Sequence, residues 1–549
     1  MKKVFSFLLA LVLCVSVGAN AFADVPSYLN MESDSVTTPM VKDGEMIEVT
    51  LVMSQEATQA DADQIWLWKF LEEEHNVKVH VEQVADAVEY KNLALATGDF
   101  PDIMLNMGVT TTDLVTYGQN EQMFLKVDQY LDYMPNLKAI YEENPSWKDA
   151  ITAPDGHMYA LGGIADPLDE TRAGTSVYLN TKFLEDAGLK MPETLDEFID
   201  ALRMFQKVNP DGVAFNGGYK ANNPSVILLS SLGFVTTDPT GLTVAMRNGE
   251  VVFPYGDKEA YPLFLDAMNT IYSEGLMSRD FYTTTGTTVR GYIAEDKAFT
   301  ATEDPANANT ELFMNWTSNL PLTSSVNDQR VWPSNMNALS TGRWVINANT
   351  EYPELCCKIA DFFFNKTGLV LGFYGPLTTD EKYMYEGYTK GWYWDDATNW
   401  LKYPEVENDP EGRYNGMENL YRQQKIMPFT GVQFGDYRTF FEDVAAYCGT
   451  DYRRVWSLDS KDFRCYATRV MYQKPYYTDG YPGNVFFDSK TNERIVELKS
   501  VIDPYVEAET AKFITGARAL TDEEIAKYFD ELDALGYAEY LGYYVDYLK

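Results

Sequence analysis

The chain has 549 residues, a formal net charge of −38 at pH 7, 45% hydrophobic residues and 14% aromatic residues, with Tyr the most abundant ring. So acidic a surface repels nucleic acid and anionic membrane, and it weighs against a polyanionic ligand, so a neutral ligand is expected. The length and apolar content suffice for two lobes, each with its own core.

Lys2 and Lys3, the apolar run Val4 to Val17 and the small-residue site Ala21-Phe22-Ala23 have the parts of a secretory signal peptide, predicting export and cleavage after Ala23. Cys14 raises a lipid-anchored alternative, but Leu13 stands where a lipobox wants a small residue. No later segment has eighteen uninterrupted apolar residues. Residues 24–44, with scattered Ser, Thr, Asp and Pro, read as a flexible leader.

Ile47 to Met53 is the first expected strand. A helix carrying Leu67, Phe70 and Leu71 follows, with Trp66 and Trp68 in its core face. Val77 to Val84 alternates as a second strand, a helix from about Ala87 ends at Gly98, and Asp102 to Leu105 makes a third strand. Strands alternating with helices imply a mainly parallel sheet. Ligands collect beyond the carboxyl ends of such strands, which puts Ser54, Gln55, Asn106 and Met107 at a candidate cleft edge.

Asp155-Gly156 is a turn dipeptide, and Met158 to Leu161 suits a short buried strand. Thr175 to Leu179 is another strand, after which Asn180 or Thr181 can cap a short helix that stops at Gly188. Thr194 and Glu197 have capping-box spacing, and Phe198, Leu202 and Phe205 mark the buried face of the helix they start. Asn248-Gly249 between Leu242 to Met246 and Val251 to Phe253 is a hairpin signal. The next helix shows Phe264, Met268, Ile271 and Tyr272 on one face and Gly275 past its end. Ala298 to Thr302 and Asn337 to Asn347 read as strands, and Pro353 and Glu354 open a helix to Phe364. Near the C-terminus, Thr521 and Glu524 form another capping box before Ile525, Tyr528, Phe529 and Leu532. Cys356 and Cys357 are adjacent in a helix, where they point apart and read as buried thiols. Cys448 and Cys465 could pair in an exported protein, although spacing alone does not decide it.

Catalytic chemistry has little to stand on. The three histidines, His75, His80 and His157, form no metal-binding spacing, and neither a Cys-x-x-Cys nor a glycine-rich phosphate loop occurs. A glycosidase needs only two carboxylates, so a secreted glycoside hydrolase is an alternative. Aromatic rings in loops are the more useful signal, because ring faces pack on the C–H faces of sugars. Gly391-Trp392-Tyr393-Trp394 presents three adjacent rings that no single face can all bury, so at least one should face solvent or ligand.

The segments YKNLALATGDFPDIM, NPSWKDAITAPDGHMYAL, YLNTKFLEDAGLKMPETLDEFIDALRMFQKVNPDG, PELCCKIADFFFNKTG and AKFITGARALTDEEIAKYFDELDALGYAEYL, in that order, resemble the family 1 extracellular solute-binding proteins of ABC importers. The similarity is to the long oligosaccharide-binding subgroup that includes alginate-binding proteins. The resemblance implies an α/β, two-lobed periplasmic-binding-protein type II fold with mainly parallel sheets flanked by helices, a hinged cleft holding a sugar, and no catalytic activity. It implies a monomer that delivers to a membrane permease served by a separate ATPase. A sensory role beside a histidine kinase is a further alternative. The implied lobes are 45–165 with 290–350 and 166–289 with 351–549, so Ala298 to Thr302 returns to the first lobe and Tyr383 to Tyr403 belongs to the second. Trp316 and Trp332 then bracket a segment along the cleft, and Tyr178, Tyr477, Asp479 and Tyr481 join the candidate ligand contacts. Several relatives carry a calcium loop where this chain has Asn209, Asp211 and Asn216; these donors are too few for calcium, so a plain turn and no cofactor are expected.

Overall fold

A strand that alternates its side chains between two apolar environments organises the first half of the molecule. In Ile47–Ser54, Val49, Leu51 and Met53 face one buried layer and Val52 faces another. The computed structural model describes residues 25–55, 58–165, 176–309, 311–334, 339–398, 400–414, 416–427, 434–450, 458–459 and 464–549. The expected signal segment and Cys14 lie outside the described residues.

Ile47–Ser54 pairs in parallel with Val77–Val84 along its whole length and with Ile103–Leu105, and Trp344–Ile346 adds an antiparallel edge, Trp344 opposite Leu105. Helices Trp66–His75 and Ala87–Thr97 make the parallel crossovers. The first stops at Asn76 in the left-handed conformation and the second at Gly98. Asp86 caps the second by accepting from Glu89 N at 2.9 Å. Trp66, Leu67, Phe70 and the Leu105 and Trp344 side chains fill one face, while Met104, Met107, Leu95, Phe124 and Val345 fill the other.

The second core surrounds an antiparallel sheet in which Tyr178–Asn180 lies between Thr300–Ala301 and Trp316–Ser318. Parallel pairing occurs in the second core as well, at the Val213–Ala298 and Phe215–Met277 bridges and between Trp332 and Tyr477, although these strands are short pieces brought together from distant parts of the chain. Helix Leu195–Val208 buries Phe198, Leu202 and Phe205, and Thr194 Oγ1 accepts from Glu197 N at 3.2 Å. The Arg247-Asn248-Gly249-Glu250 hairpin has both central residues at positive φ, +53° and +80°. Helix Tyr261–Ser273 packs along the long helix Ser489–Thr515, with Asn269 Nδ2 donating to the Phe513 and Ile514 carbonyls at 3.0 and 3.1 Å.

Several long-range expectations are corrected. Residues 25–41 are not a free leader: Leu29, Val36, Met40 and Val41 are buried in the first core, and Lys358 Nζ donates to Ser33 O at 2.9 Å. Thr300–Ala301 stays with the second core, because Tyr178 pairs with Ala301. The stretch from Pro353 to Val444, including Tyr383 to Tyr403, packs on the first core. Trp66 Nε1 donates to Tyr383 O at 2.8 Å, Tyr385 OH to Glu74 at 3.1 Å and Tyr388 OH to Asp63 O at 2.9 Å. Met158 to Leu161 is buried as expected, but it joins a ladder only through a single bridge, Leu161 to Trp344. The chain thus passes from the first core to the second between Ile164 and Ser176, back between Ser334 and Leu339, and over again between Cys448 and Cys465. Cys448 and Cys465 are free and sit in different cores, and Cys356 and Cys357 are buried thiols.

Candidate functional site

Three expected residues meet at the carboxyl edge of the first core's sheet. Ser54 is the last residue paired with Val84, and Gln55 N donates to Val84 O at 2.8 Å. Asn106 follows the last strand residue, Leu105, and turns the chain with φ of +54°, a conformation that Asn tolerates better than other non-glycine residues. Its N–H donates to Arg343 O at 2.7 Å, extending the antiparallel ladder by one residue. Continued in register, the sheet sets Ser54, Asn106 and Arg343 side by side, all partly exposed. Arg343 Nη1 donates to Asn106 Oδ1 at 3.3 Å, and burial pushes the guanidinium pKa down. Met107 is different: it is fully buried beside Phe124 and Phe486, so it supports this edge from beneath.

A second group gathers on one face of the second core's sheet. Tyr178, Ala301 and Trp316 share that face with Cys465 of helix Arg464–Tyr472. Ser318 N donates to Thr468 Oγ1 at 3.0 Å, and Arg464 Nε donates to Trp316 O at 2.9 Å, clamping the helix to the strand. Arg469 donates to Tyr178 OH, and its guanidinium stands 5.6 Å from the Tyr178 ring and 5.5 Å from the Tyr466 ring. Burial pushes the Tyr178 phenol far up and the charge of Arg469 pulls it back only in part. Tyr178 and Trp316 have 0% and 1% exposure, so among the candidate ligand contacts these two lie beneath the surface. Trp316 Nε1 is buried without a hydrogen-bond partner among the described residues.

The remaining candidates fall into two places. Trp332 pairs with Tyr477, and Ser334 Oγ donates to Asp479 Oδ1 at 3.2 Å; Asp479 is exposed and Tyr477 partly so. Trp332 is fully buried in the second core, and Tyr481 is buried with its OH donating to Tyr544 O at 2.8 Å. Trp392, Tyr393 and Trp394 lie on the first core, far along the chain from the sheet edge. Trp392 is fully buried, donates from Nε1 to Gly375 O at 2.8 Å and stacks on Tyr447, so it is a core residue. Tyr393 and Trp394 are partly exposed, as the three-ring argument requires, with Tyr393 OH donating to Glu407 at 2.7 Å.

Among the described residues, a C-terminal segment ties the two cores together. Asn484 Nδ2 donates to Leu339 O at 2.6 Å, Phe486 is buried with Met107 in the first core, and Asn120 Nδ2 donates to Ser489 Oγ at 2.8 Å. Two apolar cavities, of about 20 and 10 Å³, lie inside the cores and hold at most one water each. The donors at the expected plain turn are turned to other partners or to solvent. Asn209 Nδ2 donates to Phe205 O, Asn216 Nδ2 is committed to Val289 O at 3.1 Å, and Asp211 points outward. Among the described residues no group of three or more His, Cys, Asp or Glu is placed to hold a metal.

Arg343 is the residue that sequence reasoning passed over. Its one visible signal was position: an arginine directly before the strand that returns to close the parallel sheet.

The model of the bacterial extracellular solute-binding protein family matches residues 54–368, more than half of the chain. The fructooligosaccharide ABC transporter substrate-binding protein FusA of Streptococcus pneumoniae is 23% identical over 558 aligned positions, covering 97% of this chain and 94% of that protein. Its structure in complex with kestose superposes with a TM-score of 0.70 over 91% of this chain and 98% of that one, at 20% identity. A solute-binding protein from Bifidobacterium longum infantis, described as associated with a transporter and binding HMO, matches with a TM-score of 0.70 at 19% identity, over 92% and 99% of the two chains.

Proposed function

Since this chain belongs to the bacterial extracellular solute-binding proteins, we propose that it captures an oligosaccharide outside the cytoplasm and hands it to the permease of an ABC importer. The observation that carries this reading is a full-length similarity to a substrate-binding protein, joined to a sheet whose carboxyl edge displays Ser54, Gln55, Asn106 and Arg343. Sheets of this type take ligands at that edge. The sugar lies between the two cores and binds the closed arrangement better than the open one, and that difference in affinity drives closure. The ligand is neutral, in keeping with the chain's net charge of −38 and with the fructooligosaccharide named for its relative. Binding is followed by no bond cleavage and uses no cofactor; a separate ATPase supplies the energy, and the protein works as a monomer. It is exported through residues 1–23, with anchoring at Cys14 as the less favoured form of the same leader.

The test is a thermal-shift screen of the purified protein against a panel of neutral and acidic oligosaccharides, with reducing ends assayed in parallel. A ligand at a hundred times its Kd adds about 2.7 kcal/mol to stability, enough to raise the melting temperature by roughly 2–5 °C. A rise with one neutral class and no release of reducing ends is expected. Release of reducing ends would favour the hydrolase alternative, and co-purification with a histidine kinase ectodomain in place of a permease would favour sensing.

A further inference from the structure

Among the described residues, other deeply placed arginines of this acidic protein have visible answers to their charge. Arg247 meets Asp257 and Glu259 at 3.2 and 2.9 Å, Arg518 meets Glu509 and Glu524 at 2.8 and 2.9 Å, and Arg422 lies over the rings of Phe373 and Tyr374. Arg464 spends its donors on the Trp316 and Leu458 carbonyls. Arg343 has none of these. Among the described residues its guanidinium makes one hydrogen bond, to Asn106 Oδ1 at 3.3 Å, and has no carboxylate and no aromatic face. A guanidinium carries five donors, so most of its hydrogen-bonding capacity is open.

Its position gives that openness a direction. Arg343 stands in register with Asn106 and Ser54 at the carboxyl edge of the parallel sheet. The backbone there is unusual twice over: Asn106 is left-handed, and Gly342 is held at φ +74° with its Cα against Val109 O, where any side chain would collide at 2.1 Å. Conformations of this kind persist where the surrounding structure enforces them, and they collect at ligand sites. Asn106 Oδ1 holds one arm of the fork, leaving the other arm and Nε without a partner among the described residues.

We propose that Arg343 is a ligand-contact residue, giving two parallel N–H bonds to a pair of saccharide oxygens, with Asn106 as the residue that positions it. This rests on the oligosaccharide reading and goes beyond it by naming the residue that sets the register of the sugar. The pair of oxygens is either two neighbouring hydroxyls of a neutral sugar or the carboxylate of a uronic acid, because both match the fork.

The experiment is calorimetric titration of the full chain with kestose, as a neutral probe, and with a galacturonate trimer, as an acidic one, at low salt and at about 0.3 M salt. For whichever probe the wild type binds, Arg343→Ala is expected to weaken binding by roughly tenfold to a hundredfold, the range for hydrogen bonds from a charged donor. Arg343→Lys, which keeps the charge and loses the fork, is expected to weaken kestose binding nearly as much. Asn106→Asp, which answers the charge internally, is expected to weaken both probes. Salt-independent binding of kestose identifies hydroxyls as the partner, and a several-fold loss of trimer binding with salt identifies a carboxylate. Binding by Arg343→Ala and Arg343→Lys equal to that of the wild type would overturn the proposal while leaving the oligosaccharide reading in place. Failure of the wild type to bind either probe or any sugar of the thermal-shift panel would overturn that reading and this proposal with it.

Discussion

His75 is an imidazole with no hydrogen-bond partner on either nitrogen among the described residues, wedged between the Phe70 and Phe362 rings under the N-terminal segment. Burial pushes its pKa down to about 4. Asp361, also buried, has its pKa pushed up to about 6 by burial, against the hydrogen bonds it accepts from Asn136 and Leu137. The two act in opposite directions over the same window. A depressed histidine is neutral in the fold, so its stability contribution is present above pH 6.5 and lost as pH falls to about 4. A raised carboxyl contributes most below its unfolded value of 3.8 and loses that contribution as pH rises through about 6. Urea unfolding between pH 4 and 7 should therefore show His75→Phe gaining stability relative to wild type on acidification, by up to about 3 kcal/mol, and Asp361→Asn losing it. Parallel pH profiles for all three proteins would refute both assignments. Trp392 makes a different residue-level point. Its burial against Tyr447 and its bond to Gly375 O mean that Trp392→Ala should cost about 3–5 kcal/mol of stability, with the folded fraction binding sugar normally. Nothing in the run Trp392-Tyr393-Trp394 said which ring turns inward, because the partners, Gly375 and Tyr447, come from elsewhere in the chain.

Among the elements, the segment after the third strand has the least ordinary geometry. Thr110 and Asp113 form a reciprocal capping box, Asp113 N donating to Thr110 Oγ1 at 3.1 Å and Thr110 N to Asp113 Oδ2 at 2.9 Å. The helix then widens into a π-helical stretch, Leu114–Asn120, that ends where Asn120 reaches Ser489 on the other lobe. Gly118 lies flat against the Tyr159 ring, and a Cβ there would stand 2.6 Å from Tyr159 Cγ. The ring cannot swing freely, because its OH donates to Asp155 at 2.5 Å. Gly118→Ala should accordingly destabilise the first lobe by about 1–3 kcal/mol, while Gly118→Ala combined with Tyr159→Leu should recover part of that loss in the same unfolding assay. No recovery would mean that the ring is not what the methyl meets. Elements whose cause is local were readable from sequence: the Thr194 and Thr521 caps, the Asn248-Gly249 turn and the stops at Gly98 and Gly275 all formed as expected. Met158 to Leu161 was not, since an extended apolar run becomes a strand only if a neighbour offers it a ladder.

At the scale of the molecule, the family and the α/β class were legible because many weak local matches occur in one order along the chain. Membership of each lobe was not. Helix Pro353–Asp361 could bury Leu355, Cys356 and Ile359 in either core, and only contacts such as those of Asp361 with Asn136 and Leu137 assign it to the first. The carboxyl edge of the sheet was half legible: the alternation of strand and helix pointed to Ser54, Gln55 and Asn106, whereas Arg343 comes from a segment nearly 240 residues further on. Three chain crossings and the arm from Asn484 to Ser489 join the cores, which is the connectivity a hinge needs. Small-angle scattering of the protein with and without a sugar whose binding calorimetry has established tests the capture mechanism most directly. The expected result is a smaller radius of gyration in the saturated protein, as the lobes close on the ligand; an unchanged radius at saturation would contradict it.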